Sequence, residues 1–156
     1  MGKLPVLCMI AGIAFAAFSC GSGSIVQDKF TVPDGEWKIY QAFTSKFEVS
    51  DTITPYNFYL NVRNGGSYPY SNLHIFVTTT FPNGKMAIDT VNCELADKSG
   101  RWKGKGLGDI LDNRIMYRYQ RVFPMKGDYK ISLRHAMRDT IVPAILNLGI
   151  SVEQAD

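Results

Sequence analysis

Apolar and polar residues alternate with a period of two along almost the whole chain, the pattern of strands with one buried and one wet face. Trp37, Ile39, Phe43, Phe47 and Val49 interleave with Lys38, Tyr40, Thr44, Lys46 and Glu48, which predicts one long first strand. Phe58, Leu60 and Val62 then oppose Tyr59, Asn61 and Arg63. Beyond a turn at Asn64-Gly65-Gly66, Leu73, Ile75 and Val77 oppose His74, Phe76 and Thr78. Phe81-Pro82-Asn83-Gly84 reads as a hairpin turn. In the return strand the apolar parity changes from Met86 and Ile88 to Val91, Cys93 and Leu95, and a β-bulge near Asp89-Thr90 would account for the change. The alternation resumes through Ile115, Tyr117, Tyr119 and Phe123, then Tyr129, Ile131, Leu133 and Met137, and finally Leu146, Leu148, Ile150 and Val152. After residue 20 helical spacing is nowhere sustained, and only Asp109 to Asn113 is expected to form a single helical turn. Seven or eight strands, each with one apolar face, must bury those faces against one another. The expected fold is therefore all-β, an antiparallel β-sandwich.

The N-terminus follows a different rule. Met1-Gly2-Lys3 is a short positive region, Leu4 to Phe18 an apolar run, and Ala17-Phe18-Ser19-Cys20 ends it with a small residue directly before a cysteine, although Phe18 is bulky for its place. The run is about 15 residues long where a membrane span needs roughly 20, which excludes a polytopic membrane protein. The pattern is that of a lipoprotein signal, in which the Cys20 thiol accepts a diacylglyceryl group before cleavage. Gly21-Ser22-Gly23-Ser24 follows as a flexible tether. The expected division is a signal peptide over 1–19, a lipidated cysteine and tether over 20–35, and a sandwich domain over 36–154. Two or three acyl chains on Cys20 would give stable attachment to a membrane, each buried methylene contributing about 0.8 kcal/mol.

Cleavage leaves 137 residues, enough for one core. Of three cysteines, Cys8 leaves with the signal and Cys20 becomes a thioether, so Cys93 stands alone and stability rests on packing. Composition agrees with one compact domain: 46% of residues are apolar and 20% charged. Chemistry is sparse. His74 and His135 lie in separate strands without the close ligand partners of a zinc site. Gly104-Lys105-Gly106-Leu107-Gly108 lacks the ending of a phosphate-binding loop and reads as a turn needing positive φ. Asp109 and Asp112 fit a helix cap better than an acid/base pair. The expectation is a protein without catalytic residues, metal or cofactor, apart from covalent lipid.

Charge is distributed unevenly. The net charge is +3, yet the segment from Lys98 to Arg138 holds eleven basic residues against Asp109, Asp112 and Asp128. Lys130, Arg134 and Arg138 share one face of a predicted strand, with Arg118 on the wet parity of the preceding one, so a cationic stripe on one sheet is expected. Two aromatic segments fall in loops, where function is commonly mounted: Tyr68-Pro69-Tyr70-Ser71-Asn72, and Arg101-Trp102-Lys103 with Lys105 beyond it. Tyr68, Tyr70 and Trp102 can either stack on a glycan or plug an end of the sandwich. In a cell envelope the stripe would meet anionic headgroups, acidic glycans or an acidic protein surface, not nucleic acid.

The order Tyr56-Asn57, Arg63-Asn64, Tyr68-Pro69-Tyr70-Ser71-Asn72-Leu73, Leu95-Ala96-Asp97, Gly100-Arg101-Trp102-Lys103-Gly104-Lys105-Gly106, Gly108-Asp109-Ile110, Gly127-Asp128-Tyr129 and Ala136-Met137-Arg138 resembles the GldH gliding-motility lipoproteins of Bacteroidota. The resemblance spans most of the mature chain. It implies an envelope lipoprotein that serves the gliding apparatus, whose components are linked with type IX secretion, and it carries over no catalytic residues. The expected partners are a membrane, through the anchor, and other envelope lipoproteins or motility proteins. No acidic residue stands between Cys20 and Asp28, which favours an outer-membrane site facing the periplasm over surface export.

Overall fold

The computed structural model describes residues 23–156; the signal peptide and Cys20 lie outside the described residues. Among the described residues there are ten strands: β1 (Ser24–Thr31), β2 (Trp37–Lys38), β3 (Phe43–Val49), β4 (Tyr56–Gly65), β5 (Asn72–Thr80), β6 (Met86–Glu94), β7 (Ile110–Arg121), β8 (Gly127–His135), β9 (Ile141–Val142) and β10 (Ile145–Gln154). Eight of them build two four-stranded antiparallel sheets, one ordered β1-β10-β4-β7 and the other β3-β8-β5-β6, while β2 and β9 pair with each other. The two larger sheets are called here the β10 sheet and the β8 sheet.

Alternation produces the sandwich directly. In β4 Tyr56, Phe58, Leu60 and Val62 are buried; in β5 Leu73, Ile75 and Val77; in β8 Tyr129, Ile131 and Leu133; in β10 Leu148, Ile150 and Val152. These inner faces form one hydrophobic cluster. Aromatic rings fill both ends of the core. At one end Phe123 contacts Tyr129 edge-on with centroids 4.9 Å apart, beside Phe47, Tyr56 and Phe58; at the other Trp37 packs against Phe43 and His135. Burial of this kind stabilises by about 1.5–3 kcal/mol per large apolar side chain.

The structure corrects the expected boundaries at several points. The segment assigned to a tether is a strand from Ser24 onward: β1 pairs residue by residue with β10, its Val26 is buried, and its Asp28 accepts a hydrogen bond from Ser45 of β3. The long first strand is two strands. After β2 the chain turns, with Gln41 N–H donating to the Lys38 carbonyl and the Trp37 indole N–H donating to the Gln41 carbonyl at 3.0 Å, so Ile39, whose N–H still donates to Thr140, and Tyr40 face solvent and do not run on into β3. No bulge exists near Asp89-Thr90. The β5–β6 register runs unbroken from Asn72↔Glu94 to Thr80↔Met86, and Met86 and Ile88 simply point outward, 69% and 66% exposed.

The irregularity lies in β7, whose register against β4 shifts on either side of Phe58. Residues 110 to 113 are strand, not helix; the one helical element among the described residues is the single 3₁₀ turn Pro33–Gly35, where Asp34 and Gly35 take positive φ. Tyr119, expected inside, is exposed.

Strand direction fixes which loops share an end. Ser24 pairs with Glu153 and Gln154 N–H donates to Gly23, so the chain enters beside loops 50–55, 81–85 and 122–126. Loops 66–71, 95–109 and 136–140 lie at the opposite end, about 25 Å away along eight residues of β1.

Candidate surface on the outer face of the β8 sheet

Outward positions of β3, β8, β5 and β6 form cross-strand rows. One row reads Lys46, Lys130, Thr80 and Met86; the next Thr44, Ser132, Thr78 and Ile88; the next contains Arg134, Phe76 and Thr90. Lys46 and Lys130 are directly opposite on neighbouring strands, an arrangement that costs stability through like-charge repulsion. Neither lysine, nor Arg134 or Arg138, has a salt-bridge partner among the described residues. Lys130 and Arg134 are exposed on the outer face of β8, beside the acidic pair Glu48 and Asp128, whereas Arg138, also exposed, lies beyond the strand in loop 136–140. Arg118 is not among them. It belongs to the β10 sheet and forms an ion pair with Asp89 of β6.

The distal end joins this face through backbone bonds. The carbonyl of Ser71 accepts from both Leu95 and Ala96 N–H, which locks the Tyr68–Asn72 loop against the segment after β6. Tyr68 is buried, its hydroxyl donating to the Asn72 carbonyl at 2.8 Å, and burial pushes its pKa up. Tyr70 lies edge-on to it, partly exposed, with its hydroxyl donating to the Asp139 carboxylate; that hydrogen bond also raises the Tyr70 pKa. Asn72 donates to Asn92 at 3.0 Å and contacts the His74 ring at 3.1 Å. A cleft lies between Tyr70, His74, Arg138 and Asp139.

Trp102 is half-buried against the core and pairs with Ala96, while Lys103 reaches Glu94, whose pKa it lowers. Arg101 is exposed at the loop tip. Asp97 organises that tip: it accepts from the Ser99 hydroxyl and N–H and from the Arg101 N–H and side chain at 2.6–3.0 Å, bonds that hold its carboxyl down to about 2. Lys105 lies apart, its backbone bridged to Asp112 on β7. The glycines of this loop divide between close approach and turning. Gly104 packs on the Asn113 side-chain amide and Gly106 on the Ile110 carbonyl, whereas Gly100 and Gly108 take positive φ.

The remaining chemically suggestive groups are held in inert settings. Cys93 is fully buried, which pushes its thiol up to about 12 and removes the thiolate that nucleophilic attack requires. His135 points inward against Trp37 and His74 outward, on opposite faces of neighbouring strands. Asp112 is engaged by Arg63 through two bonds of 2.6 and 2.8 Å, which lowers its pKa. Among the described residues no group of three or more His, Cys, Asp or Glu is placed to hold a metal ion, and no helix is long and apolar enough to cross a membrane.

Sequence reasoning missed the Lys46–Lys130 pairing, which needs the β3–β8 register, and the shallow groove on the opposite outer face. That groove crosses β1, β10, β4 and β7 and has a volume of about 320 Å³. Gly149 lies on its floor, an outward glycine in a strand whose other outward residues are polar, which was the one available signal.

Fold and surface together define an antiparallel β-sandwich that displays charged and aromatic side chains on its faces and loops around a closed apolar core. The family model for the GldH lipoprotein matches residues 24–152, and the chain belongs to that family. It is 30% identical over 128 residues, 78% of this chain and 79% of the relative, to a gliding motility lipoprotein GldH homolog of Christiangramia forsetii. It is 27% identical over 150 residues, 92% of each chain, to the gliding motility lipoprotein GldH of Flavobacterium johnsoniae. Among solved structures, a chain from infectious bursal disease virus, Gx strain, aligns with 83% of this chain and 33% of its own length at 13% identity and a TM-score of 0.28, too low to bear on the fold.

Proposed function

We propose that this chain is a cell-envelope lipoprotein, attached through lipid on Cys20, that serves as a non-enzymatic assembly or stabilising subunit of a gliding-motility apparatus linked to type IX secretion. The observation that carries this reading is the separation of ends. Chain entry at Gly23, three residues after Cys20, lies at one end of the sandwich, and the Tyr70, Asn72, Lys103 and Arg138 loops lie at the other. A lipid on Cys20 then turns the entry end toward the bilayer and leaves the distal loops and the cationic face free for a partner protein. The outer membrane, with the domain in the periplasm, is the proposed location. The partner's complementary surface is acidic, because Lys46, Lys130, Arg134 and Arg138 are unpaired.

The test is affinity recovery of the tagged, lipidated full chain from cross-linked membranes, with mass spectrometry of what accompanies it. Stoichiometric recovery of other envelope lipoproteins or secretion components is expected. It should be weakened by salt in the natural chain, lost in Cys20→Ala, and strongly reduced in Lys130→Glu/Arg134→Glu/Arg138→Glu. Unchanged recovery by the triple variant, with its melting temperature preserved, would overturn the assignment of this face; recovery of no protein partner would overturn the assembly role.

A further inference from the structure

We infer that the groove on the outer face of the β10 sheet is a binding site for a carboxylated oligosaccharide, a site separate from the surface proposed for protein partners. Its central row is Lys29 on β1, Gly149 on β10, Asn61 on β4 and Arg114 on β7. Gly149 supplies no side chain, so the floor is backbone flanked by Asn61 and Ser151, which hydrogen-bond to each other at 2.9 Å. The volume of about 320 Å³ lies within the range of small-ligand sites. From β1 to β7 the row spans about 14 Å, three interstrand spacings, which suits a short oligosaccharide lying across the strands.

Three features select the ligand class. First, β10 and β4 are central strands bonded on both sides, so an extended peptide laid here finds no free backbone ladder to join. Recognition falls to side chains. Second, the side chains on the floor and rim are amides and hydroxyls, namely Gln27, Asn61, Asn147 and Ser151, each able to donate and accept, as sugar hydroxyls do. No exposed aliphatic side chain lines the groove to receive an apolar peptide residue. Third, the charges in the lining are engaged except for one; Asp28 accepts a hydrogen bond from the Ser45 hydroxyl of β3. Arg63 holds Asp112 through two bonds, and Arg114 holds Glu153 at 2.6 Å while stacking over the Tyr59 ring at 3.8 Å. Lys29 has no salt-bridge partner among the described residues. That unpaired ammonium beside a glycine floor is the place for a single carboxylate.

The experiment is calorimetric titration of the lipidated full chain in detergent micelles with trigalacturonate, trimannuronate and a hyaluronan tetrasaccharide, against the neutral methyl ester of trigalacturonate and triglutamate as controls. At least one uronate should bind with micromolar affinity, and the ester at least tenfold more weakly than its parent acid. Lys29→Gln should weaken binding at least fivefold with an unchanged melting temperature, whereas Lys130→Gln on the opposite face should leave it unchanged. Absence of binding below millimolar concentration for all three uronates would overturn the proposal. So would triglutamate binding as tightly as the best uronate, or a loss of affinity that follows Lys130 instead of Lys29.

Discussion

The guanidinium of Arg118 on β7 donates to the carboxylate of Asp89 on β6, an ion pair that joins the open edges of the two sheets. Asp89 occupies an inward position of its strand, and the register shifts of β7 around Phe58 leave both Tyr117 and Arg118 half-buried. On the opposite side of the sandwich the corresponding link is the Ser45 hydroxyl donating to Asp28 between β3 and β1. The Arg118 and Asp89 side chains are 28% and 40% exposed, so the pair contributes a modest amount, about 0.5–1 kcal/mol. Asp89→Ala is expected to destabilise by about 1 kcal/mol, and the swapped pair Asp89→Arg/Arg118→Asp to recover about half of that. A double-mutant cycle in urea checks this; a coupling energy of zero would show that the edges are held by packing alone.

Gly104 illustrates a glycine fixed by its neighbour. A methyl group there would lie 2.9 Å from both polar atoms of the Asn113 amide, which is buried and donates to Asn64 at 2.9 Å and to the Val62 carbonyl at 3.3 Å. Gly104→Ala should therefore destabilise by about 1–3 kcal/mol through overpacking and loss of that buried amide pair. In an Asn113→Ala background, where the space is open, the same substitution should cost a few tenths of a kcal/mol. Chemical denaturation of the four proteins decides it, and equal costs in both backgrounds would point to backbone strain instead.

Much of this molecule was legible from period-two alternation because both sheets have one dry face. The inner residues of β4, β5, β8 and β10 follow their sequence parity without exception over Phe58–Val62, Leu73–Val77, Tyr129–Leu133 and Leu148–Val152. Parity misled where an edge strand carries outward apolar residues, as at Met86 and Ile88, because alternation reports which residues are apolar and not which face is covered. It also failed at Trp37–Phe43, where the Trp37 side chain bonds to the Gln41 carbonyl and turns the chain, a local bond with no periodic signature. The outward face of β8 that carries Lys130 and Arg134 was legible, since the two share parity. Lys46 joined it only through the β3–β8 register, and Arg118 left it through the shifted register of β7. The groove around Gly149 needed four strands in order, β1 among them, and β1 was hidden by a composition resembling a tether.

His135 couples stability to pH. It is 1% exposed, lies edge-on to Trp37 at 5.3 Å, and neither ring nitrogen has a hydrogen-bond partner among the described residues. Burial lowers its pKa below the ordinary 6.5, with the nearby Trp37 backbone and Asp139 opposing and Arg134 acting in the same direction. The folded chain thus resists a proton that the unfolded chain accepts at about 6.5. This contribution to stability is fully present above pH 6.5 and declines as pH falls toward the depressed folded value, by at most about 1.4 kcal/mol per pH unit. His135→Phe keeps an aromatic edge against Trp37 and removes both the unpartnered nitrogens and the titration. The variant should match or exceed the natural chain in stability at pH 7.5, and its advantage should widen as pH is lowered from 7 to 5. Thermal melts of both proteins across that range give the comparison directly. Parallel curves would mean that His135 takes up its proton equally well in the folded core and in the unfolded chain, which its burial forbids.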